Sequence, residues 1–239
     1  MYYWYFLGLL VLCAMFSAWA SRKVHSSYQA FANKFTRSHY TGYDTAVRLL
    51  RANGIEDVSV SRVGGSLTDH FHPKKKVVNL SDTTYGSTSV AAVAVAAHEI
   101  GHVVQKQKGY LPYQLRTVLV PLTNFGSYLA LPLVILGVAI ELTIASGSSA
   151  GFGCALVGVV LYGLSTLFTL VTLPVELDAS RRAKEMLVEE GILTESELPG
   201  AKKVLSAAAL TYVAALATSL VYFLRFLYWV LLLFGRNRD

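Results

Sequence analysis

Two histidines and a glutamate in one short stretch could bind a metal ion and use it. The stretch reads Val95-Ala-Ala-His98-Glu99-Ile-Gly-His102-Val-Val104, within an apolar, alanine-rich helix pattern. Side chains four residues apart lie on one face of an α-helix, so His98 and His102 can bind one zinc ion at about 2.0–2.1 Å. Glu99 points about 100° round the helix, where it can take a proton from a water molecule at the metal. The spacing predicts a hydrolytic zinc site.

The alternative for this stretch is a buried helix whose histidines only form hydrogen bonds. Only 6 histidines occur among 239 residues, so a chance match to the pattern is rare. Two imidazoles and a carboxylate are also costly to bury on a nearly all-apolar helix unless each has a partner. We therefore favour the zinc site.

A zinc site of this kind needs a third protein ligand from further along the chain. No histidine follows His102, so we expect a carboxylate. The downstream candidates are Glu141, Glu176, Asp178 and a group of glutamates between residues 185 and 197. Glu176 is favoured because it lies at the end of an apolar stretch, and a hairpin of two membrane spans would return it to the side of the histidines. Asp178 is kept as a residue that could orient a ligand.

The elements that must position these residues belong to a membrane protein. Hydrophobic residues make up 54% of the chain, and the mean hydropathy is +0.46. Four stretches are nearly free of charge and about 18 residues or longer, enough to cross a bilayer. We expect an N-terminal transmembrane anchor at 1–20, a soluble α+β part with the motif helix at 21–116, an interfacial segment and transmembrane hairpin at 117–175 (about 128–145 and 151–174), a helix with the third ligand at 176–205, a transmembrane helix at 206–234 and a tail at 235–239.

The charges and cysteines exclude other classes of protein. The net charge is +6, but the basic residues gather beside the apolar stretches and form no aromatic-interleaved motif, so we expect no nucleic-acid partner. Lysine and arginine beside spans favour a cytoplasmic position for the soluble segments, with the N-terminus and tail on the far side. Cys13 and Cys154 lie in apolar stretches, so neither a disulfide framework nor a cysteine metal site is expected.

The polar part of the chain predicts a small α+β arrangement. Cap residues and alternating patterns predict a helix from Thr41 to Gly54, strands near residues 58–63 and 76–80, and a motif helix that begins near Ser87 or Ser89 and ends at Gly109. Residues 67–72 are less regular. An extended peptide could pair with Val77–Leu80 as an edge strand.

Two further polar groups are explained without a second site. The lysines at 74–76 are typical of an exposed turn. Asp69, His70 and His72 favour polar surface or cleft lining over a second metal site, because no third partner at a defined spacing accompanies them.

Two motifs resemble the YugP-type membrane zinc metallopeptidases of bacteria. They are His98-Glu-Ile-Gly-His-Val-Val-Gln105 and Leu173-Pro-Val-Glu-Leu-Asp-Ala-Ser-Arg-Arg-Ala183, with looser support from the anchor and from Leu67-Thr-Asp-His70. The resemblance covers nearly the whole chain. It implies a bacterial integral membrane peptidase with His98, His102 and Glu176 as zinc ligands and Glu99 as catalytic carboxylate.

The second motif also resembles the wider membrane gluzincins, whose third-ligand helix reads E-x-x-A-D. Glu176 and Ala179 match this pattern, but Ser180 replaces the aspartate. The residue that orients the ligands is therefore open, with Asp178, Ser180 and Arg181 as candidates.

The resulting expectation is a membrane α-helical protein with a small α+β metallopeptidase domain, in which the HExxH helix packs against a second ligand-bearing helix. The protein would lie in the cell membrane and cut membrane-associated or unfolded polypeptides. Candidates for a second electrophile are Arg181, Arg182, His70 and Tyr113.

Two other functions compete with peptide hydrolysis. One is a catalytically idle assembly factor or chaperone with a peptidase fold, against which the intact Glu99 argues. The other is a transporter or channel, which needs charges within the membrane. Only Glu141 and Arg225 lie deep in the apolar stretches, and we expect these two to form an ion pair.

Overall fold

Seven α-helices and one three-stranded sheet make up the described part of the computed structural model, which covers residues 2–143 and 149–235. In chain order the elements are α1 Tyr2–Ala32, α2 Gly42–Ala52, β1 Ser59–Val63, β2 His70–His72, β3 Val77–Ser81, α3 Asp82–Tyr85, α4 Val90–Gln107, α5 Leu111–Thr143, α6 Ser149–Glu189 and α7 Leu198–Gly235.

The chain divides into two compact units. The helical unit contains Met1–Ser17, Gln114–Leu173 and Tyr212–Asp239, and the mixed unit contains Ala18–Tyr113 and Pro174–Thr211. Every strand and every candidate site residue of the motifs at 98–105 and 176–182 belongs to the mixed unit.

Four described helices are long and apolar enough to cross a membrane, which is the number the sequence predicts. They are Trp4–Ala32, Leu111–Glu141, Ala150–Glu189 and Leu198–Phe234. Each extends beyond the apolar stretch found in the sequence, because the helical backbone continues into polar residues. Helix α5 runs from Leu111 to Thr143 without a break at Pro121 or Pro132. The segment before the second apolar stretch is therefore helical and continuous with it.

Within the helical unit, small residues allow helices α5 and α6 to approach closely. A Cβ atom on Gly158 would lie 2.6 Å from the carbonyl oxygen of Ala130, and one on Gly137 would lie 2.6 Å from that of Gly151. Large apolar side chains such as Ile135 and Val160 are more than half exposed. Such side chains are expected where a helix faces lipid rather than water.

The sheet has the order β1-β3-β2, so the expectation of an edge strand at Val77–Leu80 is wrong. Strand β3 pairs in parallel with β1 and antiparallel with β2. Val78 and Leu80 are fully buried, which suits a central strand. The sequence did not predict strand β2, because three residues are too few to show an alternation of apolar and polar side chains.

The helix ends of the mixed unit follow the predicted signals. Thr41 caps α2 through a capping box with Asp44, and Ser89 caps α4 by accepting from the backbone N–H of Ala92. Gly54 and Gly109 adopt positive φ just after these helices, where a side chain would be strained. The boundaries of the motif helix are thus set by local sequence.

Candidate metal centre

Helix α4 is buried on almost every side, and only one part of its surface is accessible to solvent. Between Val90 and Gln105, only Val95 and His98 are partly exposed, and they lie three residues apart on one face. Alanines and valines fill the other faces against the core of the mixed unit. The helix therefore presents its polar motif to a single opening.

Gly101 allows helix α6 to lie close to α4. A Cβ atom at this position would lie 2.6 Å from the carbonyl oxygen of Ala179 in α6. No side chain larger than hydrogen fits between the two backbones without a shift. This close approach places residues 176–180 of α6 opposite residues 98–102 of α4.

The structure brings His98, His102 and Glu176 together. One potential ligand atom from each lies within 4.8 Å of the others. The Oε2 atom of Glu176 is 3.2 Å from Nε2 of His98 and 3.5 Å from Nε2 of His102. Donors around a tetrahedral zinc ion lie about 3.3–3.4 Å apart, given Zn–N and Zn–O distances of about 2.0–2.1 Å.

The remaining ring nitrogens of the two histidines have partners of their own. Nδ1 of His98 lies 3.2 Å from the Ser180 hydroxyl, and Nδ1 of His102 lies 3.0 Å from Oε1 of Gln105. In both rings, Nε2 is thereby left to face Glu176. Metal-binding histidines commonly have such a partner on the second nitrogen.

The nature and spacing of these atoms fit zinc. Two imidazole nitrogens and one carboxylate oxygen form a common catalytic zinc set, and three protein ligands leave a coordination position for water or substrate. Among residues 2–143 and 149–235, no other group of three histidine, cysteine or acidic side chains has metal-binding geometry. Asp69, His70 and His72 are not grouped in this way.

Glu99 follows His98 directly in α4 but lies outside this group of three potential ligands. The backbone N–H of Phe71 in β2 faces its carboxylate and favours the ionised form. Burial raises the pKa of Glu99 to about 7; His98 opposes this rise, and the carboxylates of Glu176 and Asp69 add to it. The Glu99 side chain thus lies between strand β2 and the group formed by His98, His102 and Glu176.

The other predicted residues are held elsewhere. Asp69 accepts from the backbone N–H and the hydroxyl of Ser81. His70 contacts the carbonyl of Thr68 through Nδ1 and the amide of Asn79 through Nε2. These bonds tie the loop before β2 to β3.

The four candidate electrophiles separate into two kinds. Arg181 and Arg182 both donate to Asp178. The two nitrogens of His70 contact the Thr68 carbonyl in the loop before β2 and the Asn79 amide in β3. The ring of Tyr113 lies next to that of His102, with centroids 6.4 Å apart. Of the four, Tyr113 is the one whose ring lies beside the ring of His102.

Comparison with known proteins identifies the family of the chain. The sequence pattern of a family described as "putative neutral zinc metallopeptidase" matches residues 5–231. The chain belongs to this family. It is also 41% identical, over 98% of its length and 99% of the relative, to a Bacillus subtilis (strain 168) protein described as "Putative membrane protease YugP". No solved structure matches the chain.

Family membership and the four apolar helices together indicate an integral membrane protein. The group of His98, His102 and Glu176, which could hold a metal ion, lies wholly within the mixed unit.

The sequence did not indicate one further residue of the site, Gln105. Gln105 contacts His102, the Val175 carbonyl and Asp178. The signal was a polar residue three positions after His102, next to two valines in an apolar helix. Such a residue on a buried face needs a partner, but the sequence could not show which one.

Proposed function

We propose that this chain is a membrane-embedded zinc peptidase in which His98, His102 and Glu176 hold the metal and Glu99 is the general base. The observation that carries the proposal is the convergence of the three donor groups within 4.8 Å, with Glu99 on the adjacent helix position. The membership of the chain in a zinc metallopeptidase family supports it.

Bound zinc would supply a Lewis acid that polarises the scissile carbonyl and lowers the pKa of water. The Glu99 carboxylate takes a proton from the attacking water and returns it to the leaving amine. Ser180 and Gln105 hold the imidazoles of His98 and His102 in place. Tyr113, beside His102, is our candidate for a donor to the carbonyl oxygen.

Strand β2 offers a place for an extended substrate. It lies at an edge of the sheet, and the N–H of Phe71 reaches the Glu99 carboxylate. A polypeptide that paired with this edge would run past Glu99, held by main-chain hydrogen bonds. Recognition of that kind requires an unfolded or extended segment and few particular side chains, which fits membrane-associated or unfolded proteins as substrates.

The central test replaces the base and leaves the ligands intact. Glu99→Gln in the full-length, detergent-solubilised protein should retain one zinc per chain but lose hydrolysis of an unfolded protein by at least about 100-fold, because the amide cannot accept the proton. Metal analysis and a fluorescent casein assay measure the two quantities. Glu195→Gln, an exposed change, is the control and should keep both.

Hydrolysis by Glu99→Gln at the wild-type rate would contradict the mechanism. A wild-type protein that binds zinc but cuts no unfolded or membrane-inserted substrate would instead favour the idle assembly factor or chaperone.

We also propose that the mixed unit faces the cytoplasm, because basic residues concentrate within about 20 residues of the corresponding span ends. In a background without Cys13 and Cys154, a cysteine at the exposed Ser26 should react with an impermeant maleimide only after cells are lysed. A cysteine at position 148, outside the described residues, should react in intact cells. Labelling of position 26 in intact cells would reverse the assignment.

A further inference from the structure

Gln105 occupies an unusual place beside the candidate metal centre. It is fully buried at 0% exposure and lies one turn after His102 on α4. Within α4, all of which is described, it is the one buried polar side chain outside the HExxH motif. A buried amide is stable only when its donors and acceptor are satisfied.

The partners of Gln105 determine which way its amide points. Nε2 lies 2.7 Å from the backbone carbonyl of Val175 and 2.9 Å from Oδ2 of Asp178. A carbonyl and an ionised carboxylate only accept, so both must face the NH₂ group, which has two hydrogens to donate. The opposite orientation would set the amide oxygen against two other oxygens. Oε1 is therefore the atom that faces His102.

This orientation in turn determines the hydrogen on His102. Oε1 of Gln105 lies 3.0 Å from Nδ1 of His102, and an amide oxygen only accepts. Nδ1 must therefore carry a hydrogen, which leaves the lone pair of the neutral ring on Nε2. That atom faces Oε2 of Glu176 at 3.5 Å. The hydrogen-bond partner of one imidazole nitrogen sets the role of the other.

Asp178 is fixed from its other side. Arg182 donates to Oδ2 at 2.6 Å and Arg181 to Oδ1 at 2.5 Å, and the carboxylate is only 11% exposed. The chain of contacts thus runs from Arg182 through Asp178 and Gln105 to His102. Helix α6 supplies the ligand Glu176 and also the group that orients a histidine of α4.

We propose that Gln105 is a positioning residue through which Asp178 fixes the metal-binding nitrogen of His102. This inference rests on the proposed zinc site but not on hydrolysis. Ser180 does not do the same for His98, because a hydroxyl can donate or accept and so does not decide the tautomer by itself.

The test is a double-mutant cycle on zinc affinity in the full-length protein, measured by competition with a chromogenic chelator. Gln105→Met removes the amide at similar volume, and Asp178→Ala removes its anchor. Each should weaken zinc binding about 10–100-fold, and the double variant should be no weaker than the worse single variant. Gln107→Met, the same chemical change at an exposed position of α4, should bind zinc normally.

Unchanged zinc affinity in Gln105→Met would overturn the proposal. So would an equal loss from Asp178→Ala in the presence and absence of Gln105, because Asp178 would then act without it. A wild-type protein that binds no zinc would instead remove the proposed function, so the two failures are distinguishable.

A second measurement needs no variant that could misfold. In zinc-loaded wild-type protein with ¹⁵N-labelled histidine, His102 should show a protonated, slowly exchanging Nδ1 and a metal-bound Nε2. A His102 that binds metal through Nδ1, or carries its hydrogen on Nε2, would overturn the proposal.

Discussion

The mixed and helical units use the same packing device for different ends. In the mixed unit, Gly101 brings the α4 backbone against the carbonyl of Ala179; in the helical unit, Gly158 does the same for α6 against Ala130. The flanking residues differ. Gly101 is followed by His102, whereas Gly158 lies between Val157 and Val159. A close backbone contact thus positions ligands in one unit and apolar side chains in the other.

One buried polar contact in each unit illustrates the same difference. In the helical unit, Thr166 and Ser219 form a hydroxyl pair at 2.9 Å, with no charge involved. In the mixed unit, Glu176 is only 2% exposed and faces two imidazoles. A buried carboxylate needs such partners. The comparison teaches that stability and metal binding should be separable by where a substitution is made.

The largest effect should come from matched glycine substitutions. Gly101→Val should abolish zinc binding and lower the free energy of unfolding by about 1–3 kcal/mol, because the side chain collides with the Ala179 backbone. Gly158→Val should lower stability similarly but leave zinc affinity unchanged. Zinc titration and thermal unfolding measure the two quantities.

Gly153→Val is the control for the glycine series, because nothing lies within 4 Å of a Cβ atom at that position. It should alter neither quantity appreciably. If Gly158→Val binds zinc more weakly while the protein is still fully folded, stability and metal binding are not separable between the two units.

The sequence predicted much of the mixed unit because its signals are local. Ser89 and Gly109 bound α4, and Thr41 caps α2, because capping needs only residues a few positions apart. The parallel pairing of β1 with β3 depends on contacts distant along the chain, and β2 is too short for a pattern. For these reasons the edge strand was misplaced.

The residues of the site likewise differ in whether local sequence could indicate them. His98, Glu99 and His102 lie within one helix, so their spacing alone indicated their shared face. Glu176 was predicted from its position at the end of an apolar stretch. The role of Gln105 depends on Val175 and Asp178, about 70 residues away, and no helix periodicity reports such a contact.

The next largest effect should be loss of metal without loss of fold. Glu176→Ala and His98→Ala should each fail to retain zinc after dialysis, because two ligands rarely hold a catalytic zinc ion. Glu185→Ala and Glu195→Ala, which change exposed carboxylates, should retain it. Metal analysis measures the outcome. A filled site in Glu176→Ala and an empty one in Asp178→Ala would mean that Asp178 is the third ligand.

The smallest effect concerns the two charges of the helical unit, Glu141 and Arg225, and should leave zinc binding untouched. If the spans begin near Phe125 and Ala207 and run in the same direction, a rise of 1.5 Å per residue places Glu141 about 24 Å and Arg225 about 27 Å along them. The two charges would then lie at similar depth. Glu141 is buried among the helices, where a carboxylate needs a compensating charge.

Each charge alone would cost about 2.5–3.5 kcal/mol at the centre of a membrane helix, and less near the interface. Glu141→Gln or Arg225→Gln should therefore destabilise the protein more than the double variant, because a single change leaves the other charge without its partner. Unfolding in detergent measures this double-mutant cycle. Strictly additive losses would show that the two side chains do not interact, and a change in zinc affinity would show that the charges of the helical unit act on the metal site after all.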